Sequence, residues 1–156
     1  MRYVVTCEDK ATGAVADTYK TFVGVKAANT TGYRLRLRSL FVGPTVDSPV
    51  DRNVGVKVAR TNNAADGTGT AQTPEPKSNQ LRASVMTAKV DYSAEPTTYD
   101  TPPLWAAGMN LRGAILKEWA PEDAPCVGPN ETLGVLIAPR SANAERLTVA
   151  VEYEEY

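Results

Sequence analysis

The sequence predicts an all-β fold, an antiparallel β-sandwich that we expect to be a jelly roll. Several short segments alternate apolar and polar residues with the period of two that a half-buried strand requires. Turns containing proline and glycine separate these segments, and no segment has the pattern of a long amphipathic helix. The 156 residues are the length of one ordinary domain, so we expect a single sandwich over 1–156.

The first three predicted strands lie in the N-terminal third. Tyr3–Cys7 is rich in β-branched residues, and Tyr19–Lys26 alternates after a polar turn. The third, Tyr33–Val42, reads YRLRLRSLFV, with its arginines on one face and its tyrosine and first leucines on the other. The alternation breaks after Ser39, which indicates either a β-bulge or a strand end that is covered on both faces.

The next region joins a clear strand to a long polar segment. Val54, Val56 and Val58 alternate with small or polar residues, which predicts a strand. From Thr61 to Gln80 the chain contains no large apolar residue. We therefore expect a long polar loop at 61–80, of the kind that is functional or disordered.

The second half supplies the remaining strands. Leu81–Tyr92 fits either a strand or a short helix, while Leu104–Leu111 and Ala114–Trp119 read as two strands around a glycine. Leu133–Ala138 is apolar on both faces, so we expect it deep in the sandwich. Arg146–Glu154 alternates most regularly of all, with one face for the core and one for solvent or a partner.

The composition argues against an enzyme. The chain has no histidine, so it cannot form a Ser-His-Asp triad or a histidine-ligated metal site. The glycine-bearing run Asp66–Thr70 lacks the lysine and the following helix of a phosphate-binding loop. A glycosidase needs only two carboxylates, but nothing in the sequence places such a pair. We expect no catalytic residue, no cofactor, no metal and no small-molecule substrate.

Charge and cysteine content bear on compartment and partners. The 17 basic and 18 acidic side chains give a net charge of −1, so no global field favours nucleic acid or an anionic membrane. The sequence shows neither a signal-peptide pattern nor an apolar stretch long enough for a membrane span, so we expect synthesis in the cytosol. Cys7 and Cys126 are then expected to be reduced and to lie in the core, with a disulfide as the alternative.

Two groups of side chains have more than one reading. The arginines at 34, 36 and 38 fit a solvated face, or cross-strand pairing with Glu152 and Glu154 if the two strands are neighbours. They also fit a protein partner, or nucleic acid with Tyr33 stacking on a base. Trp105 and Trp119 fit the core or the sandwich edge better than a sugar-stacking platform.

The polar loop at 61–80 is predicted either to order against a neighbouring subunit as an arm or to remain a disordered surface loop. The candidate protein interface combines residues of this loop with the arginine face. Its ten residues are Asn62, Asn63, Asp66, Thr68, Thr70, Pro74, Pro76, Arg34, Arg36 and Arg38.

Three stretches resemble small structural proteins of tailed bacteriophages. They read RLRSLFVGPTVDSPVDRNVGVKVART (34–61), YSAEPTTYDTPPLWAAGMNLRG (92–113) and GPNETLGVLIAPRSANAERLTVAVEYEE (128–155). The chain is similar in them to virion proteins, especially the β-sandwich decoration or cement proteins that coat capsids. The resemblance implies a non-enzymatic role on the capsid surface, with the major capsid protein and copies of the chain itself, expected as a homotrimer, as partners. No functional residue of that group maps onto this sequence.

A second function class fits the same sequence. A β-sandwich can also serve as a carbohydrate- or receptor-binding module of a tail or fibre. A decoration protein is expected in hundreds of copies per particle and a fibre module in few.

Overall fold

The computed structural model describes residues 1–45, 51–61, 67–78, 82–96 and 98–156, and all statements below concern these ranges. They contain twelve strands and no helix. The strands are β1 Arg2–Ala11, β2 Lys20–Lys26, β3 Leu35–Pro44, β4 Asn53–Thr61, β5 Thr68–Gln72, β6 Glu75–Pro76, β7 Thr87–Ala94, β8 Trp105–Asn110, β9 Ile115–Glu118, β10 Cys126–Val127, β11 Thr132–Pro139 and β12 Arg146–Glu155.

The strands form two six-stranded sheets that pack face to face, so the predicted β-sandwich is confirmed. The first sheet has the order β10-β3-β12-β1-β6, and β9 also pairs with β3. The second has the order β5-β7-β2-β11-β4-β8. Every pairing is antiparallel. The jelly-roll class itself stays a prediction.

The break in alternation along β3 is a β-bulge. Glu152 of β12 lies opposite Ser39 and Tyr153 lies opposite Leu37, so Arg38 is the extra residue. The bulge returns Leu40 to the core, where it is fully buried, and turns Phe41 outward. Of the two readings of this segment, the bulge is correct.

The core lies between the two sheets and is built from their inward-facing alternate residues. β11 pairs with β2 on one side and β4 on the other, and all eight of its residues are buried, as its two apolar faces predicted. β12 is equally central in the first sheet, between β1 and β3. Tyr3 and Tyr153 stack inside the sandwich with ring centroids 5.6 Å apart.

The predicted loop at 61–80 is wrong for its described part. β5 pairs with β7 over Thr68–Gln72, and β6 pairs with β1 through Glu75 and Pro76. Both strands form without a large apolar residue because backbone hydrogen bonds, which need no particular side chain, hold them. The following segment, which was ambiguous between strand and helix, forms strand β7.

A buried lysine ties strand β7 to strands β1 and β2. Lys10 on β1 donates from Nζ to the backbone carbonyls of Thr21 at 2.9 Å and Tyr92 at 3.0 Å. Its ammonium also lies 3.5 Å from a carboxylate oxygen of Asp91 and 5.5 Å from the centre of the Phe22 ring. One side chain thereby joins β1, β2 and β7, with its charge compensated.

The tryptophans and cysteines lie in different settings. Trp105 of β8 meets Trp119 edge to face at 5.8 Å. Trp119 is part of the buried core and Trp105 packs against it, which agrees with their assignment to the core or the sandwich edge. Cys7 is buried in the core, and burial raises the pKa of its thiol. Cys126 is exposed on β10, which corrects its core assignment. A two-residue edge strand cannot cover its side chain.

Candidate interaction surface

The outer face of the second sheet is covered by the chain itself. Three strand glycines there lie under tyrosine rings. A Cβ at Gly24 would overlap the hydroxyl of Tyr92 of β7, and one at Gly134 would lie 2.7 Å from the hydroxyl of Tyr99, which lies between β7 and β8. A Cβ at Gly55 would lie 2.5 Å from the Tyr19 hydroxyl. The glycines provide the space that the rings occupy.

Hydrogen bonds fix this covering layer. The Tyr99 hydroxyl is 2.7 Å from Thr21 Oγ1, and Glu95 accepts hydrogen bonds from the amide and hydroxyl of the same threonine. Burial raises the pKa of the Tyr99 phenol. Asp100 donates its amide to the Arg60 carbonyl and binds the Arg60 guanidinium at 2.6 Å. The part of this face over β2, β11 and β4 is therefore unavailable for a flat contact.

The outer face of the first sheet has no such cover from the described residues. One row of side chains crosses four of its strands in register, from Thr6 through Ala150 and Phe41 to Leu116. Phe41 is 39% exposed and Leu116 is 69% exposed. We call these four residues the apolar row.

A second row runs beside the first and carries charge. Val4, Glu152, Ser39 and Glu118 lie opposite one another across the same strands, and we call them the charged row. A cleft of about 120 Å³ opens here, lined by residues of the row together with flanking cations and one aromatic ring. Its lining consists of Arg2, Arg38, Ser39, Glu118, Trp119 and Glu152.

Glu152 is the electrostatic centre of the charged row. It pairs with Arg2 at 3.3 Å and with Lys77, and Ser39 donates to it at 3.4 Å. Burial opposes ionisation of Glu152, but the hydrogen bond and charge of Lys77, with the charge of Arg2, outweigh it and lower the pKa. The charged row and its flanking cations, Arg2 and Lys77, therefore place charges of both signs beside the apolar row.

The predicted arginine face forms pairs within the chain. β3 and β12 are neighbours, Arg38 lies 3.7 Å from Glu154, and Arg36 stacks on the Tyr156 ring at 4.2 Å. Arg34 precedes β3, is exposed, and exchanges backbone hydrogen bonds with Tyr156. Cross-strand pairing is thus the correct reading for Arg38. Whether the three arginines also contact a partner stays a prediction.

The loop residues of the predicted interface do not form one surface. Asn62, Asn63 and Asp66 lie outside the described residues. Thr68 and Thr70 are exposed on β5 at the edge of the second sheet. Pro74 is buried, and Pro76 pairs with Tyr3 at the edge of the first sheet. The described part of this segment joins the edges of both sheets rather than extending away as an arm.

Phe41 and Leu116 are the surface residues that sequence reasoning missed. The broken alternation after Ser39 was a usable signal for Phe41, since a bulge there necessarily turns it outward. Leu116 gave no signal, because its exposure depends on β9 pairing with β3 at the sheet edge.

The described residues contain no group of three or more acidic or cysteine side chains placed to hold a metal ion. The same part of the chain has no helix long and apolar enough to cross a membrane. No protein-family model matches the sequence, and no curated protein matches it either.

Proposed function

We propose that the chain is a non-enzymatic virion protein of a tailed bacteriophage that decorates and stabilises the capsid by binding across subunits of the major capsid protein. The observation that carries this proposal is the asymmetry of the sandwich. Tyrosines of the chain itself cover one outer face, whereas the other presents the apolar row beside the charged row. A protein that attaches flat to a shell needs one such face and no catalytic group.

The strand pairing supports a jelly-roll description of the fold. A jelly roll is a long antiparallel hairpin rolled into two sheets, so its first strand pairs with its last, its second with its second last, and so on inward. Here β1 pairs with β12, β2 with β11, β3 with β9 and β4 with β8. β5, β6 and β7 are then an insertion between the fourth and fifth strands of the roll, and β10 a short addition.

The two rows have the composition of a protein-binding surface. Aromatic and aliphatic side chains at the centre of an interface supply most of the binding energy, and a polar rim supplies orientation. Phe41 and Leu116 provide the first, and the cleft around Glu152 provides the second. Phosphate binding is less favoured, because Arg36 and Arg38 already contact Tyr156 and Glu154. Nucleic acid and membranes are therefore not proposed as partners.

The proposed location is the capsid surface, after synthesis in the host cytoplasm. Copies of the chain are proposed as further partners, with the homotrimer that the resemblance implies. Closed symmetry is the usual state of such assemblies. The trimer is proposed for copies assembled on the shell, so chemical cross-linking of shell-bound protein measures this state.

The first test counts copies. Purified particles of the phage that encodes the chain, analysed on a quantitative protein gel, should contain hundreds of copies. Absence of the chain from the particles would refute the proposal, and a few copies per particle would favour a position in the tail or fibre.

The second test addresses the face. Leu116→Glu places a charge in the apolar row and should weaken binding to shells that lack the protein by about 2 kcal/mol or more, measured by co-sedimentation. The matched control is Val15→Glu, because Val15 is 64% exposed on a distant turn. Equal binding of both variants would show that another surface attaches the chain.

The alternative is a carbohydrate- or receptor-binding module of a tail or fibre. Sugar sites usually offer an accessible aromatic ring. Trp119 does not provide one, because it is only 8% exposed and packs against Trp105, and the exposed ring of the apolar row is that of Phe41. A glycan array tests this alternative directly, and specific binding there would favour it over decoration.

A further inference from the structure

The edge of the second sheet formed by β8 is a second surface, separate from the apolar and charged rows. β8 is the last strand of this sheet and pairs with β4, and no described residue pairs with its other side. Leu111 donates to the Arg52 carbonyl at 2.9 Å, so by the alternation of antiparallel bonds Trp105, Ala107 and Met109 direct their backbone groups toward β4. The amides and carbonyls of Ala106 and Gly108 therefore point away from the sheet.

Nothing on β8 protects this edge. Its sequence, WAAGMN, contains no charged residue and no proline, whereas edge strands are ordinarily protected by charge, proline or a bulge. Strand β9, which follows β8 in the sequence and lies at an edge of the first sheet, does carry charges, at Lys117 and Glu118. A Cβ at Gly108 would meet no heavy atom within 4 Å, so the outward face of β8 has space for a side chain of an added strand.

We infer that β8 pairs antiparallel with β8 of a second copy of this chain, around a two-fold axis near Ala106 or Ala107. Such pairing gives each outward amide of one strand a carbonyl of the other, which is how an exposed edge binds a strand. The strand that fits must be neutral and carry small residues facing the axis, and β8 itself meets both conditions.

Each end of β8 carries an ion pair. Asp100 binds Arg60 at 2.6 Å at the end where β8 begins. Arg112 lies 3.9 Å from Asp51 just beyond the other end. Antiparallel pairing brings the start of one β8 to the end of the other. Arg112 of each copy then lies at the same end as Asp100 of its partner, and both side chains are exposed. The same symmetry brings the exposed Leu104 of each copy toward the open space at Gly108 of the other.

Disulfide trapping tests the pairing directly. In a Cys126→Ser background, which removes the exposed thiol, Ala106→Cys is oxidised alone and mixed with Gly108→Cys. Residues directly opposite in a hydrogen-bonded antiparallel pair have Cα atoms about 5.5 Å apart, within the range of a disulfide. If the axis lies at Ala106, two copies of Ala106→Cys form a disulfide with each other. If it lies at Ala107, Ala106→Cys forms a disulfide with Gly108→Cys, and the mass of the product distinguishes the two.

The matched control is Val15→Cys in the same background, an exposed position between β1 and β2 that is not part of β8. We expect a linked dimer from one of the two edge combinations and no more than a trace from the control. Linking of both edge combinations at the level of the control overturns the inference, and so does specific pairing of β8 with another protein in place of a second copy.

Sedimentation of the intact chain provides the second measurement. The wild type should sediment as a dimer at high concentration, and Ala106→Pro should shift it to monomer with an unchanged circular dichroism spectrum, since proline removes only an outward amide. Leu116→Glu should still dimerise, because Leu116 is not part of β8. The β8 pairing and the proposed capsid-binding rows are therefore tested independently. A wild-type monomer, or an oligomer that Ala106→Pro leaves intact, overturns the inference.

Discussion

Gly134→Ala is expected to destabilise the fold, although alanine has the smallest side chain that can replace glycine at this buried strand position. The added Cβ would lie 2.7 Å from the Tyr99 hydroxyl, 2.8 Å from Cε1 and 3.1 Å from Cζ, where ordinary contact begins near 3.4 Å. The backbone of β11 is held by β2 and β4 on both sides, so the tyrosine ring has to move.

The size of the effect follows from what the ring loses. Overpacking a well-filled site costs about 1–3 kcal/mol, which includes here the strain on the 2.7 Å contact between Tyr99 and Thr21. Replacing glycine restricts the unfolded chain and returns about 0.4–1 kcal/mol. The expected net loss is about 1–2 kcal/mol of unfolding free energy. For a domain of this size, that lowers the Tm by about 2–4 °C per kcal/mol.

A double-mutant cycle assigns the loss to the tyrosine. Unfolding by urea, followed by circular dichroism, gives the free energies of Gly134→Ala, Tyr99→Ala and the pair. Without the ring, Gly134→Ala should be neutral or stabilising, a coupling of about 0.5–3 kcal/mol. Gly108→Ala is the matched control, since its Cβ meets nothing within 4 Å. The reasoning is refuted if both alanines behave alike, or if the penalty at Gly134 persists when Tyr99 is gone.

Three further outcomes are expected. Lys10→Met should lower the unfolding free energy by about 2 kcal/mol in the same urea assay, because two buried backbone carbonyls lose their donor; an unchanged midpoint would contradict this. Burial raises the pKa of Tyr99 and Tyr153 above the unfolded value of 10.0, so their contribution is complete below pH 10 and stability falls as the pH rises above it. Their phenolate absorbance should then appear only with unfolding. Thiol titration should find Cys126 reactive in the native protein and Cys7 only in denaturant; two reactive native thiols would be inconsistent with the burial of Cys7.

The sequence by itself determined most of the strands, because alternation of apolar and polar residues is a local property. It placed eight of the described strands to within a few residues and indicated a bulge in β3 as one of two readings, because the alternation fails at one point. It also identified β11 as the strand buried on both faces. The absence of histidine, which excludes triads and histidine-ligated metals, needed no structure.

Only the tertiary structure decided which surfaces are free. β5 and β6 have no apolar pattern, because backbone bonds to β7 and β1 hold them, and so the segment read as a loop. The tyrosine rings that lie over strand glycines join residues far apart in sequence, so no local pattern shows that one outer face is covered. The exposure of Leu116 and the open edge of β8 likewise depend on which strands stand last in each sheet, a consequence of how the whole chain rolls up rather than of any segment within it.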